Sequence, residues 1–446
     1  MVLSPLAAMG AGVALTIVVW LIQASRPSTQ ISTFHALTSP LRALPGPFLS
    51  HLTNLPLKHA VISGRRIFYI DALHRAHGPI VRLSPTEVAV GADIAAFKSI
   101  HGVQSKFKKD VWYEKLTNFP RLSVFTMRDQ REHSARRRLF ARGFSKSYLR
   151  ETWEPAVREK VGVAVEKIRG EVARGGKADL MKWWTFMATD IVGVLGFGES
   201  FGLLEAGRKT EYIRMLEAAL VGNGVGAELP WVRAIVARVP DVRTESTSLI
   251  FAGSGTTANT LTFLSYAVLS RPALQQALEE EAAQLPEGFT DADLEQLPLL
   301  NAVINETLRL YCAVPGSLPR VVPPGGATLG GYFIPQGTTV STQAFTLHRD
   351  ETLWENAEQF DPYRWLPGRD ISSGAKATFC AFGAGATSCL GINLAWMELR
   401  YGTAALLKEC RGLKLADSMT PESMELENYF VITPKGKSCE VVLKVE

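Results

Sequence analysis

The chemistry in this chain is concentrated in a short stretch, Phe379–Ala395, which reads FCAFGAGATSCLGINLA. Gly383, Gly385 and Gly391 crowd Cys389, and the run after it (LGINLAWMELRYGTAALL) has a helical pattern. Glycines at that density imply a backbone bent through conformations other residues avoid, or one pressed against a flat partner. A cysteine at a helix N-terminus sits where the dipole and free N–H groups favour thiolate over thiol. One thiolate in an apolar recess is what a haem iron takes as its proximal ligand. The same residues also read as a buried structural cysteine in a Gly-rich turn.

Three other clusters carry polar groups at meaningful spacing. Thr256 lies in FAGSGTT, inside a helical pattern over roughly Thr244–Ser270. Two glycines inside a helix cost about 1 kcal/mol each relative to Ala, so something flat approaches, the helix opens locally, or a neighbouring helix packs closely. A helical threonine can bond the carbonyl one turn back and leave a polar notch, suited to dioxygen and a water. Residues 130–150 form a strongly basic helix in which His133 and Arg137 share a face; alone, this reads equally well as a solvated basic face. Glu306 and Arg309 sit one turn apart in Leu297–Tyr311, an otherwise apolar helix where unpaired charges would be costly.

The elements that hold these groups are mainly α with a small β region. Arg65–His77 reads as a helix stopped by Gly78-Pro79, with strands at Ile80–Leu83 and Glu87–Val90 around the turn Ser84-Pro85. From there to about residue 310 the signals are helical, Lys182–Leu195 being an apolar scaffold helix and Pro272 starting an acidic one. Strands follow, with Gly330-Gly331 and Gln336-Gly337 as hairpin turns, and strand-like pieces return after the Cys389 helix. Net charge is +5 over 446 residues, and no long basic run alternates with aromatics, so nucleic acid is not an expected partner. The five cysteines are scattered, without disulfide or zinc spacing. Leu6–Ile22 carries no charge and is about the minimum length for crossing a bilayer. Residues 1–25 read as an uncleaved anchor, and the cations after it (Arg26, Arg42, Lys58) place the body on the cytosolic side. Residues 26–47 read as a stiff, non-helical Pro-rich linker, and 48–446 as the catalytic domain.

The pattern Phe382-x-x-Gly385-x-x-x-Cys389-x-Gly391 resembles the haem-binding loop of the cytochrome P450 family, and matching motifs in the family's order extend over about residues 65–440. The resemblance implies the P450 fold, a helical core enclosing haem b (iron protoporphyrin IX) plus an N-terminal transmembrane helix. Cys389 is then the axial ligand of the iron, with Phe382, Gly385, Thr387 and Gly391 shaping its loop. His133, Arg137 and Arg320 meet the haem propionates. Ala252 and Gly253 belong to the oxygen-binding helix, where Thr256 helps deliver protons. Glu306, Arg309 and Arg364 (from FDPYRW) form a structural triad that locks the cysteine loop onto the core. Arg136, Arg138 and Arg142 point outward as a docking surface for an acidic electron donor.

The wording of LPRVVPPGGAT, LHRD and CLGINLAWMELR is similar to membrane-bound members from filamentous fungi. That likeness implies a monooxygenase that inserts one oxygen atom from O2 into a small lipophilic substrate of secondary metabolism. It also implies an NADPH-dependent reductase as partner, and a single-pass endoplasmic reticulum protein with its catalytic domain in the cytosol. Three departures stand against the family pattern. Gly255 replaces the acid before the threonine, Thr387 replaces an Arg or His in the cysteine loop, and the span from Gly202 to Ala252, which would roof the substrate cavity, is short. They keep two alternatives open: a haem-thiolate isomerase, dehydratase or peroxygenase, and a degenerate homologue that binds haem without turnover.

Overall fold

The computed structural model describes residues 38–116, 122–208 and 244–443, without the side chains of 244–247. The expected anchor, and most of the shortened stretch before the glycine-bearing helix, lie outside the described residues. Among those described, no helix is long and apolar enough to cross a membrane. The architecture is mainly helical with small sheets, as expected. The end of the Pro-rich segment departs from its expected form: Pro40–Ala43 makes a 3-10 turn capped by the Ser39 hydroxyl. Leu41 and Leu44, each 3% exposed, are buried against the first sheet, where each removes apolar surface from water.

Helix α1 (Leu55–Ile62) leads into α2 (Arg66–His77), which stops where Gly78 takes φ +92°. β1 (Ile80–Ser84) and β2 (Glu87–Val90) pair antiparallel, as predicted. α3 (Ile94–His101) starts on the Asp93 carboxylate, which accepts the Ala96 N–H, and β3 (Lys108–Lys109) follows. The basic segment 130–150 is not one helix. α4 (Gln130–Ala141) gives way to a new turn capped by Ser145, whose hydroxyl offers a free N–H an alternative to helix continuation.

α5 (Glu154–Gly175), β4 (Ala178–Asp179) and α6 (Leu180–Phe197) turn apolar faces into the main core, and α7 (Thr244–Leu269) packs there against α6. α8 (Pro272–Ala283) and α9 (Pro298–Tyr311) each begin with a proline, where a missing N–H costs nothing. Next come β5 (Arg320–Val321), β6 (Ala327–Leu329), β7 (Tyr332–Ile334) and β8 (Thr339–Ser341). Gly330-Gly331 closes the β6–β7 hairpin as predicted. Gln336-Gly337 does not close a second one. β8 instead leaves β7 to pair parallel with β2 and antiparallel with β5; the turn residues mark a reversal without choosing the partner.

The resulting five-stranded sheet has the order β1-β2-β8-β5-β3. α10 (Ile392–Glu409) follows the cysteine loop and packs on α5 and α7. The last described strands, β9 (Leu413–Leu415), β10 (Leu426–Asn428), β11 (Ile432–Pro434) and β12 (Glu440–Leu443), pair as β10–β11 and β4–β12–β9. The sheet, α4 and α10 thus converge from different parts of the chain on the cysteine loop, and α7 packs on α10 behind them.

Candidate cofactor site

The Phe379–Ala395 loop is fixed from behind by a buried charge network. Glu306 and Arg309 on α9 have no exposed surface. Arg309 donates to Glu306 Oε2 at 2.9 Å and Oε1 at 2.8 Å, and Arg364 Nε donates to Oε1 at 3.3 Å. Trp365 Nε1 and the Asp361 N–H, each at 2.8 Å, complete the carboxylate's partners. Arg309 also donates to the carbonyls of His348, Ala357 and Gln359. A buried charge held this way stabilises only while its partners stay in place.

The link from this network to the loop runs through His348, which the sequence reading passes over. Its Nδ1 lies 2.9 Å from the Arg309 carbonyl, and its Nε2 accepts the Cys380 N–H at 2.9 Å. The Cys380 donor fixes the tautomer: Nδ1 carries the proton and donates it to Arg309. Burial pushes the imidazole down to about 3, so the ring is neutral. Only its place in LHRD marked it, and nothing in that spacing announces a loop anchor.

Within the loop, Gly383 and Gly385 take φ +71° and +61°. A Cβ on Gly385 would stand 2.0 Å from the His101 carbonyl oxygen, so only glycine lets the loop lie on the end of α3. The Cys389 N–H donates to the Phe382 carbonyl at 2.7 Å, and Gly391 is the N-cap of α10. From Phe379 to Asn393 no residue is buried, and Cys389 is exposed by surface area although protein atoms ring it. That crowding pushes the thiol above its ordinary value, while the Gly391 N–H and the Arg137 guanidinium pull the other way. The net direction corrects the helix-terminus expectation: the chain by itself favours the thiol, and a thiolate here needs a metal to stabilise it.

Cations gather beside this loop. Arg137 donates to the Ser388 carbonyl at 2.7 Å, holding the residue before Cys389. Arg320 donates to Tyr113 Oη at 3.0 Å and to Thr387 Oγ1 at 2.7 Å. Thr387 therefore brings no charge of its own but ties the loop to the strand arginine. His133, one turn before Arg137, is buried and pushed down to about 4 by burial, with Lys109, Arg137 and Arg320 adding to the shift.

Lys109, absent from the sequence-predicted set, is the partner of Arg320 in the β3–β5 register. Its Nζ donates to the carbonyls of Val124 and Phe125 at 3.2 and 2.7 Å. His101, Lys109, His133, Arg320 and Thr387 line one recess. Among the described residues, the hydrogen bonds of Lys109, Arg137 and Arg320 end on carbonyl or hydroxyl oxygens and never on a carboxylate. Three cations whose described hydrogen-bond partners are all neutral could hold a ligand that brings its own carboxylates. With a lone cysteine beside it, this donor set fits haem.

Thr256 stands on α7, with its described bonding inside its own helix: Oγ1 donates to the Ala252 carbonyl at 2.6 Å, as predicted. The two glycines before it do different things. A Cβ on Gly253 would sit 2.3 Å from Val192 Cγ2, so that glycine serves the packing of α7 on α6 rather than a flat ligand. Among the described residues, nothing lies within 4 Å of such a Cβ on Gly255, where an acid would stand. Ala252 is exposed.

The adjacent Thr257 hydroxyl meets Glu398 of α10, a carboxyl 1% exposed whose Oε2 has no partner among the described residues. Burial pushes Glu398 up to about 8, against the Thr257 bond. This group too was missed, although a lone carboxylate in LAWMELRYG was a usable signal.

The cytochrome P450 profile matches residues 44–224 and 238–441. Cytochrome P450 monooxygenase cypX of Dothistroma septosporum is 39% identical over 473 residues, covering 92% of each chain. Cytochrome P450 monooxygenase stcB of Emericella nidulans is 39% identical over 464 residues, covering 92% of this chain and 89% of its own. Cytochrome P450 monooxygenase aflV of Aspergillus parasiticus is 38% identical, covering 92% of both. The first of these alignments spans 473 positions against the chain's 446 residues, so the relative carries residues that this chain lacks. Profile and relatives run along nearly the whole chain, cysteine loop included: the chain belongs to the cytochrome P450 family and is an oxidoreductase of that kind.

Proposed function

We propose that this protein is a haem-thiolate monooxygenase that inserts one oxygen atom from O2 into a small lipophilic substrate. The observation that carries the reading is the group Lys109, Arg137 and Arg320 beside the cysteine loop, whose hydrogen bonds among the described residues end on carbonyl and hydroxyl oxygens. Haem b would be held by Cys389 at the iron and by His133, Arg137 and Arg320 at its carboxylates. When bound, haem supplies the activation of dioxygen, and thiolate donation from sulfur favours O–O cleavage.

The chain's own residues do the rest. Arg320 and Arg137 brace the loop at Thr387 and Ser388, which fixes where Cys389 stands. Thr256 keeps its proton on the Ala252 carbonyl and releases it only by giving up that bond. Gly255 contributes no acid, so protons reach Thr256 through water beside it. The missing acid is also what favours the second reading, a homologue that binds haem but turns over poorly or uses peroxide.

The relatives' names support a monooxygenase, and their fungal sources fit a role in fungal secondary metabolism; its electron donor in this reading is an NADPH-dependent reductase. The uncharged run Leu6–Ile22 supports residues 1–25 as an anchor in the endoplasmic reticulum, with the linker and the domain 48–446 on the cytosolic side. The test is reconstitution with a flavoprotein reductase, a panel of lipophilic metabolites and isotopically labelled O2. A product carrying one labelled oxygen supports the reading. NADPH consumption that yields only peroxide or water across the panel contradicts it.

A further inference from the structure

We propose that Lys109 joins His133, Arg137 and Arg320 as a contact for the cofactor's carboxylates, and that it takes up a proton as the cofactor binds. The inference rests on the haem reading above. It begins with a conflict in the sheet. Lys109 and Arg320 are direct partners across the antiparallel β3–β5 pair, 7% and 4% exposed. Like charges opposite one another in a sheet are destabilising, and burial removes the water that would screen them.

Groups facing Lys109 from each packed element deepen the conflict. Arg320 comes from β5, and His133 and Arg137 from α4. The aromatic rings of Tyr113 and Phe125 lie within cation–π distance of Nζ, at 5.3 and 5.7 Å. His101, at the end of α3 in the same recess, is held neutral by burial. Two carboxylates lie close in sequence, and both are engaged elsewhere: Asp110 accepts from the Thr339 hydroxyl at 2.9 Å, and Glu114 from Arg128 at 3.3 Å.

The Val124 and Phe125 carbonyls take two of the three protons an ammonium would carry. Burial first, then Arg320 and Arg137, push the amine down to about 7. Near neutral pH the site therefore trades a proton readily. Two carboxylates in the recess reverse the local field and favour the ammonium. Lys–NH2 then takes one proton from solvent, and the charge that Thr387 does not supply arrives from another residue of the same recess.

The sign of the linkage follows. Below about 7 the amine is already charged, and its contribution to cofactor affinity is complete. As pH rises, loading must also bind a proton, and affinity falls about tenfold per pH unit until the loaded-state value is passed. The reader of this coupling is proton uptake, not turnover.

The experiment adds hemin to the apoprotein in weak buffer at pH 8, follows proton uptake with an indicator dye, and then measures haem transfer to apomyoglobin from pH 6 to 9. Wild type is compared with K109M and K109R. Wild type should take up close to one proton more per hemin than either variant. Its haem loss should accelerate above pH 7, while K109R, always charged, stays flatter, and K109M should lose haem about tenfold faster than wild type at pH 6. Equal proton uptake in the three proteins, or superimposable pH profiles, would overturn the inference. If K109M does not fold, K109R against wild type still decides. A protein that binds hemin through Cys389 but shows no difference in uptake rejects Lys109 alone; one that binds no hemin rejects the haem reading itself.

Discussion

His348 and Cys380 are joined by one hydrogen bond, the Cys380 N–H to Nε2 at 2.9 Å, and through it the cysteine loop hangs from the buried Arg309. His348→Ala leaves the buried Arg309 carbonyl unpaired, at a cost of about 1–3 kcal/mol, and takes the partner from the part-buried Cys380 N–H. Urea unfolding should register that loss, and hemin-loaded protein should release haem faster than wild type. An unchanged midpoint and release rate would show that the loop is held by other means.

The Glu306 network predicts a ranking. Arg309→Leu strips a fully buried carboxylate of its main partner and should cost about 3–5 kcal/mol. Arg364→Ala should cost less, because the Arg364 contact is longer and Arg309, Trp365 and Asp361 remain on Glu306. Equilibrium unfolding of both variants checks the order; equal losses would contradict it.

Gly253 and Gly255 lie two residues apart on α7 and differ in role. Gly253→Ala drives a methyl into Val192 and should destabilise by about 1–3 kcal/mol. Gly255→Ala meets no neighbour among the described residues and should stabilise by up to about 1 kcal/mol through helix propensity. Thermal unfolding separates the two. Gly255→Asp should raise the fraction of NADPH electrons that end in product, provided the reductase-coupled reaction runs at all.

Two buried groups give opposite pH slopes. Glu398 has its value raised to about 8, so it stays protonated in the fold while the unfolded chain ionises near 4.5. Its contribution is complete below about 4.5 and is lost as pH rises towards 8, at most about 1.4 kcal/mol per pH unit. Glu398→Gln should therefore gain stability on wild type between pH 5 and 8.

His101 is pushed down to about 3 by burial, with Arg320 adding to it, so its contribution is present above 6.5 and lost as pH falls towards 3. His101→Gln should blunt the loss of stability between pH 7 and 5. Denaturant titrations of the apoproteins at three pH values test both signs.

What was legible in the sequence is what a few neighbouring residues decide. The cysteine loop, the Thr256 back-bond and the Glu306–Arg309 pair are fixed by spacings of one or two turns, and the structure keeps them. Lys109 was invisible because its meaning lies in the register of two-residue strands, and no local pattern sets which residue faces Arg320. The role of Gly253 was ambiguous for the same reason: a glycine signals a close approach but not whether a ligand or Val192 does the approaching. Glu398 and Thr257 meet only because α10 packs on α7, a tertiary fact. The single long basic helix failed because Ser145 can cap a new turn, and charge composition carries no record of where a helix breaks.

The central claim is a bond between Cys389 Sγ and haem iron. The direct measurement is the absorption spectrum of the reduced carbonyl complex of hemin-reconstituted protein, beside Cys389→Ser prepared in the same way. A strongly red-shifted Soret band in wild type, absent from Cys389→Ser, is the predicted result. The same unshifted band in both folded proteins would contradict the bond and the function built on it.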